Sequence, residues 1–172
     1  MLPVSSLPSK YGIGTFGKEA YEFVDFLVDC NQSYWQMLPI GPTGYGDSPY
    51  QSVSSYAGNP YFIDPEELVN EGFLNKSDLK GLKETNTGSV DYGYLYETRW
   101  PVLRKAYEKK NLFENEFIVF KLKNQSWLEE YALYMSVKKH FGMKSWIDWP
   151  DSEIRLRDAK AVEKYNTLLK EA

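Results

Sequence analysis

The residues most able to do chemistry in this sequence lie in one stretch, LPIGPTGYGDSPYQS, at positions 38–52. Tyr45 and Tyr50 offer flat rings there, and Asp47, Ser48 and Gln51 offer hydrogen-bonding tips. Pro42, Gly44, Gly46 and Pro49 hold the chain between them to an irregular path. Rings beside polar tips suit a sugar, whose pyranose has apolar C–H faces and hydroxyl edges. A rigid loop of this kind also gives up little entropy when a flexible polysaccharide settles on it. The competing reading is a surface turn, with Asp47 before Ser48-Pro49 as a turn former. Residue types alone leave both readings open.

Other chemistries fare worse. Gly12-Ile-Gly14 and the Gly41–Gly46 run lack the spacing of a phosphate-cradling loop. One cysteine and one histidine, Cys30 and His140, leave no soft-ligand cluster, so no metal is expected. His140 stands near the end of an expected helix, where its role is to complement the helix dipole. No G-x-S-x-G motif accompanies it. A retaining glycosidase site needs two carboxylates held about 5–5.5 Å apart. The 24 Asp and Glu residues fall mostly on expected helix faces, and no catalytic pair can be assembled from them.

The elements that must position the loop are readable from periodicity. MLPVSSLPSKYGIG reads as a short apolar strand breaking into a Ser/Pro/Gly loop. FGKEAYEFVDFLVDCN places Phe16, Ala20, Phe23, Val24 and Leu27 at helical spacing, with Asn31 as a left-handed stop. YWQMLPI then reads as a second strand, closed by Pro39 and Gly41. Strand, helix and strand with short links predict a βαβ unit and a parallel sheet. The tyrosine loop would follow the second strand at its carboxyl end, where α/β proteins build their sites.

Beyond Tyr61 the pattern turns helical. PEELVNEG and NKSDLKGL predict short helices, the second capped by Asn75. Residues 93–111 predict a longer helix, with Pro101 starting or kinking it, and residues 114–124 another. Ser126 and Glu129 form an S-x-x-E capping box opening WLEEYALYMSVKKHFG, with Leu128, Tyr131, Ala132 and Met135 on one face and Gly142 at its close. WIDWPDSEIRLR is a connector, and 157–171 a charged helix. No internal repeat and no third strand is evident. Two strands do not close a parallel sheet, and an eight-stranded barrel needs about 250 residues.

The totals set the frame. With 172 residues, 42% hydrophobic and 26% charged, the chain is of ordinary globular composition, and its length fits a single domain. A net charge of −4 and no long basic run argue against nucleic acid and against an anionic membrane surface. No apolar run approaches the roughly 18 residues of a membrane span. A lone cysteine and no leader after Met1-Leu2-Pro3 make the cytoplasm the expected location. Fourteen tyrosines and five tryptophans are an unusual aromatic load, though most such rings belong to cores.

SSLPSKYGIGTFG, then YWQMLPIGPTGYGDSPYQSVSSYAGNPYFID, closely resembles the amino-terminal part of the 4-α-glucanotransferases, the amylomaltase or disproportionating-enzyme family. The likeness continues through VDYGYLYETRWPVLRKAY and WLEEYALYMSVKKHFG to the W-x-x-WP segment at Trp146–Pro150, and so covers nearly the whole chain. It implies an α/β fold, the amino-terminal portion of a (β/α)8 barrel, with residues 1–60 giving the first strands and donor loop. Residues 61–150 would be a mostly helical insertion after the second strand, and 151–172 a connector and helix leading back to the barrel. It implies a cofactor-free enzyme that moves α-1,4-glucan pieces between glucans by double displacement.

Matched residue by residue, Tyr50 resembles the tyrosine that stacks on the donor glucose, with Ser48 and Asp47 as its polar neighbours. Tyr45 and Tyr96 resemble aromatics that hold a glucan on a groove away from the chemistry. Trp35 and Gln36 fall in the second strand as barrel packing. The family's nucleophile, acid/base and third aspartate lie in motifs after later strands, and none occurs before Lys170-Glu171-Ala172. The start is also shorter than the family's usual approach to its first strand. The expected partners are α-1,4-glucans and the missing carboxyl-terminal part of the same protein. The alternative expectation is a glucan-binding module without catalysis, or an inactive truncated product.

Overall fold

The computed structural model describes residues 1–82 and 88–170. The last two residues of the expected carboxyl-terminal run, Glu171 and Ala172, lie outside the described residues. The chain forms two compact units, Met1–Glu114 and the remainder from Asn115.

In the first unit, α1 (Lys18–Asp29) is the expected first helix. It ends as its sequence predicts, with Asn31 in the left-handed region at φ 54°. Its expected apolar stripe is only partly a core face. Ala20 is buried, while Phe16 and Val24 stay exposed. The two runs it joins are not strands, which corrects the βαβ expectation. Leu2 N–H donates to the Gln36 carbonyl at 3.0 Å. One residue later Pro3 has no N–H to continue a ladder, and a 3-10 turn, Val4–Ser6, begins at once. The two runs nevertheless pack together as adjacent strands would. Trp35 donates its indole N–H to the Leu2 carbonyl at 2.7 Å and meets the Phe23 ring edge-on at 5.0 Å. Val4, Leu7 and Ala20 form the core under them, with Trp35, Met37 and Phe62 against it. Trp35 and Gln36 therefore serve packing and backbone pairing. The structure is mostly helical, and among the described residues no strand is present.

The rest of this unit is helical. α2 (Pro65–Asn70) is capped by Asp64, whose Oδ1 accepts from Glu66 and Glu67 N–H at 2.8 and 3.0 Å. The NKSDLKG segment is a 3-10 helix, Lys76–Gly81, and Asn75 caps it as expected in a box with Asp78. α3 (Tyr92–Tyr107) opens on Asp91, whose Oδ1 accepts from Tyr94 N–H at 2.9 Å, and it runs through Pro101. Leu74, Leu79 and Leu82 bury against Val102 and Ala106 of α3.

α4 (Glu114–Asn124), which starts on the last residue of the first unit and continues into the second, buries no residue. α5 (Leu128–His140) starts after Trp127 without a side-chain cap, so the expected Ser126–Glu129 box is not made. Its buried stripe is Leu133 and Val137, one position round from the face expected to carry Leu128, Tyr131, Ala132 and Met135. The reason is the partner surface. Trp149, Ile154, Ala161 and Tyr165 supply the rest of this core, and Gly142, in the left-handed region at φ 68°, turns the chain toward them. Asp151 caps α6 (Ser152–Arg155), Asp158 caps α7 (Ala159–Leu168), and Tyr165 donates to Asp151 Oδ2 at 2.9 Å.

Candidate functional site

The tyrosine loop is built as a pinned bulge. At its base Asn59 N–H donates to the Ile40 carbonyl at 2.8 Å, and Thr43 pairs with Ser52 in an antiparallel bridge. Gly41 is required there, because a Cβ would overlap the Ser52 side chain. At the tip Asp47 N–H reaches back to the Gly44 carbonyl at 3.1 Å, with Gly46 and Asp47 both in the left-handed region at φ 87° and 54°. Glycine adopts that conformation freely, and aspartate is among the few other residues that tolerate it. A second turn follows, Gln51 N–H to the Ser48 carbonyl at 3.1 Å, while Ser48 Oγ accepts from Tyr50 N–H at 3.3 Å.

This backbone throws the rings outward. Tyr45 stands wholly in solvent and Tyr50 is 73% exposed, whereas Asp47 and Ser48 are half-buried. The small cavity beneath, about 90 Å³ between Val4, Ile40, Thr43, Pro49, Asn59 and Tyr92, is too small for a sugar ring. A ligand of this loop would lie on its surface.

Tyr96, the fifth expected residue, lies on α3 and is half-exposed. Tyr61 is buried against Leu95 of the same helix, and its hydroxyl is pushed above its ordinary range by that burial. A hydrogen bond from Trp100 pulls the other way, and the charge of Asp47 and the nearby Tyr96 and Tyr92 add to the rise. Tyr92 packs its ring 6.3 Å from that of Tyr61 and is raised by burial and by Asp47 as well. Partial burial in turn holds the Asp47 carboxyl above its ordinary value. Asp47 and Tyr96 thus both act electrostatically on one buried tyrosine. Ser48 and Tyr50 follow Asp47 through the turns, and Tyr45 remains at the tip.

Two groups escaped the sequence reading. Trp100 continues the face of Tyr92 and Tyr96, and the signal was present as rings at i, i+4 and i+8 in YGYLYETRW. Arg99 is fully buried, donating to the Ile63 carbonyl at 3.4 Å and the Tyr11 carbonyl at 3.3 Å. Burial pulls its guanidinium down to about 10, with Asp64 opposing, so it is charged at neutral pH and ties α3 to two loops. A charged side chain in an amphipathic helix pattern gave no sign of that. Among the described residues no group of three metal-ligating side chains is present.

A loop of exposed rings, pinned at its base, presents an open aromatic surface rather than an enclosed pocket. The family model described as 4-alpha-glucanotransferase matches residues 2–172, and the chain belongs to that family. It is 49% identical to the 4-alpha-glucanotransferase of Streptococcus pneumoniae over 174 residues, covering 98% of this chain and 34% of the relative. Against the Thermus thermophilus 4-alpha-glucanotransferase the identity is 44%, over 99% of this chain and 34% of that protein. A solved structure, the amylomaltase from Streptococcus agalactiae in complex with acarbose, superposes with a TM-score of 0.91 at 42% identity, over 99% of this chain and 35% of that one. The chain therefore spans about a third of the length of the relatives it matches.

Proposed function

We propose that this chain is the amino-terminal part of a 4-α-glucanotransferase, and that it supplies the donor-side loop and a glucan groove. The observation carrying this is the pinned loop with Tyr50 in solvent beside the half-buried Asp47 and Ser48. It stands in a family of which one solved member holds acarbose.

In this reading the whole protein is a (β/α)8 barrel. Residues 1–60 bring its first two strand positions, 61–150 a helical insertion, and 151–172 the return to the barrel. A carboxylate attacks the anomeric carbon of a maltodextrin, and a carboxylic acid protonates the leaving glycosidic oxygen. The 4-hydroxyl of an acceptor glucan, giving its proton back to that now-deprotonated acid, then displaces the carboxylate, so the anomeric configuration is retained. Both acidic groups belong to the part beyond this chain, and the reaction uses no cofactor. Transfer prevails over hydrolysis when the acceptor sugar, not water, reaches the glycosyl-enzyme.

This chain's own residues orient the donor. Tyr50 stacks on the glucose next to the scissile bond, and Ser48 and Asp47 hold its hydroxyls. Tyr45 and Tyr96 hold a distant stretch of the same polysaccharide. A cytoplasmic location accords with the lone Cys30.

The test is Tyr50→Ala in the full-length protein, assayed for disproportionation of maltotriose. A contact made in the transition state is worth ~1.4–4 kcal/mol, so transfer should fall roughly 10- to 1000-fold. Unchanged kinetics would remove Tyr50 from the donor site. Glucan binding without any transfer by the native full-length protein would favour a binding module instead.

A further inference from the structure

Among the described α-helices, α4 is the one that buries no residue. Its middle is nevertheless Phe117-Ile118-Val119-Phe120, with Leu122 two residues on, and these side chains are between 47% and 64% exposed. Successive residues point about 100° apart around a helix, so four in a row face every side of it. The charges keep to the ends. Glu114 and Glu116 open the helix and Lys121 and Lys123 close it, the signs that suit its dipole.

A surface helix is apolar along one stripe, and a helix apolar all round is built for an interior. Single exposed apolar residues are ordinary, but four large ones in succession make a continuous patch that calls for a cover. Lys121 Nζ lies 5.9 Å from the centre of the Phe117 ring, a contact that shields part of one face of one ring.

We propose that α4 is a docking helix for the remainder of the same protein, which packs on more than one side of it. The inference rests on the reading that this chain is the amino-terminal part of a longer transferase. The chain covers 34% of its Streptococcus pneumoniae relative, which leaves about twice this chain's length to supply the cover. The placement of the apolar residues selects this occupant. A second copy meeting α4 across a two-fold axis would cover one stripe and leave the opposite side wet. Elements of one larger fold can enclose the helix from several directions, as a core does. α4 would then join the chain that bears the tyrosine loop to the part that bears the acidic groups.

Hydroxyl-radical footprinting of the native full-length protein, read by mass spectrometry, tests this without a substitution. Phe117, Ile118, Val119 and Phe120 should each be oxidised at least about tenfold more slowly than in the same protein unfolded in urea, at every protein concentration. Ile118→Lys and Phe120→Lys stand on nearly opposite sides of the helix. Each should lower the urea midpoint of the full-length protein, whereas lysines on a free surface would leave it in place. Should a variant fail to fold, the footprint of the native protein decides. Oxidation of these side chains at close to the unfolded rate, in a protein that still transfers glucan, would overturn this inference and leave the transferase reading standing. Protection of one side alone, growing with protein concentration, would also overturn it and assign the helix to a second copy. A native polypeptide ending at Ala172 would overturn the reading beneath it.

Discussion

Asp47 carries two costs at one position. It holds a left-handed backbone at φ 54°, and it is partly desolvated. The folded state raises its pKa above the ordinary 3.8, so the folded chain holds that proton more tightly than the unfolded one. Stability contributed at this site is therefore greatest at low pH and falls as pH climbs from the unfolded value through the raised folded one. Asp47→Asn keeps a side chain that tolerates the left-handed region and removes the charge. It should be at least as stable as the native chain at neutral pH, and the difference between the two should vanish below about pH 3.5. Urea titrations at a series of pH values would show this, and a difference that persists at low pH would mean Asp47 acts through something other than its charge. Gly46→Ala, by contrast, should cost about 1 kcal/mol at every pH, since φ 87° admits no Cβ comfortably. At this scale much of the loop's conformation was legible. Turn formers and rings in GPTGYGDSPYQ announce themselves by type. Tyr61 and Arg99 did not, because their part depends on which chain segments meet around them, and those meetings are long-range.

Helix α3 shows what an element contributes. Its buried side holds Leu95, Arg99, Val102 and Ala106, and Arg99 joins the Tyr11 loop to Ile63 through two carbonyls. Arg99→Ala would leave those acceptors without a donor and open a cavity, and should lower stability by about 3 kcal/mol. Arg99→Lys should recover only part of this, since one ammonium cannot present the forked donors of a guanidinium. Thermal unfolding of the variants measures both, and a Lys variant as stable as the native chain would show that only the charge matters. The helices themselves were legible wherever a cap or stop is local. Asn31, Asn75 and Gly142 act as their types predict, because a left-handed stop or a cap needs only neighbouring residues. The strands were not. MLPV and YWQMLPI have strand composition, but Pro3 and the turn at Val4 leave a single ladder bond, Leu2 to Gln36, where a sheet needs several. The Ser126 box failed for a related reason. Its spacing is right, but the chain passes through turns at Asn124–Trp127 before α5 begins.

At the scale of the whole molecule the two units have separate cores. Leu133, Val137, Trp149, Ile154, Ala161 and Tyr165 bury together in the second, while Leu95 packs with Ile13 and Tyr61 in the first. Composition carried no hint of this division, since an apolar content of 42% is shared by one-core and two-core chains alike. Between the units the chain is exposed throughout Tyr107–Lys123, and Lys109, Lys110, Lys121 and Lys123 stand in that stretch. Cores that share no residue need not melt together. Heating the chain should give two transitions, and trypsin under native conditions should cut first between Lys109 and Lys123. Val137→Ala removes buried volume from one core only, and should destabilise by about 1–3 kcal/mol through the lower or the upper transition alone. Leu95→Ala should move the other, by about 2–5 kcal/mol. If both substitutions shift a single shared transition, the units fold as one cooperative block. In that case changes in the second unit would also disturb the Tyr45–Gln51 loop of the first. If the transitions move independently, the aromatic loop and α3 keep their geometry whether or not the second unit is folded, and the glucan binding proposed for the loop should survive melting of the second unit.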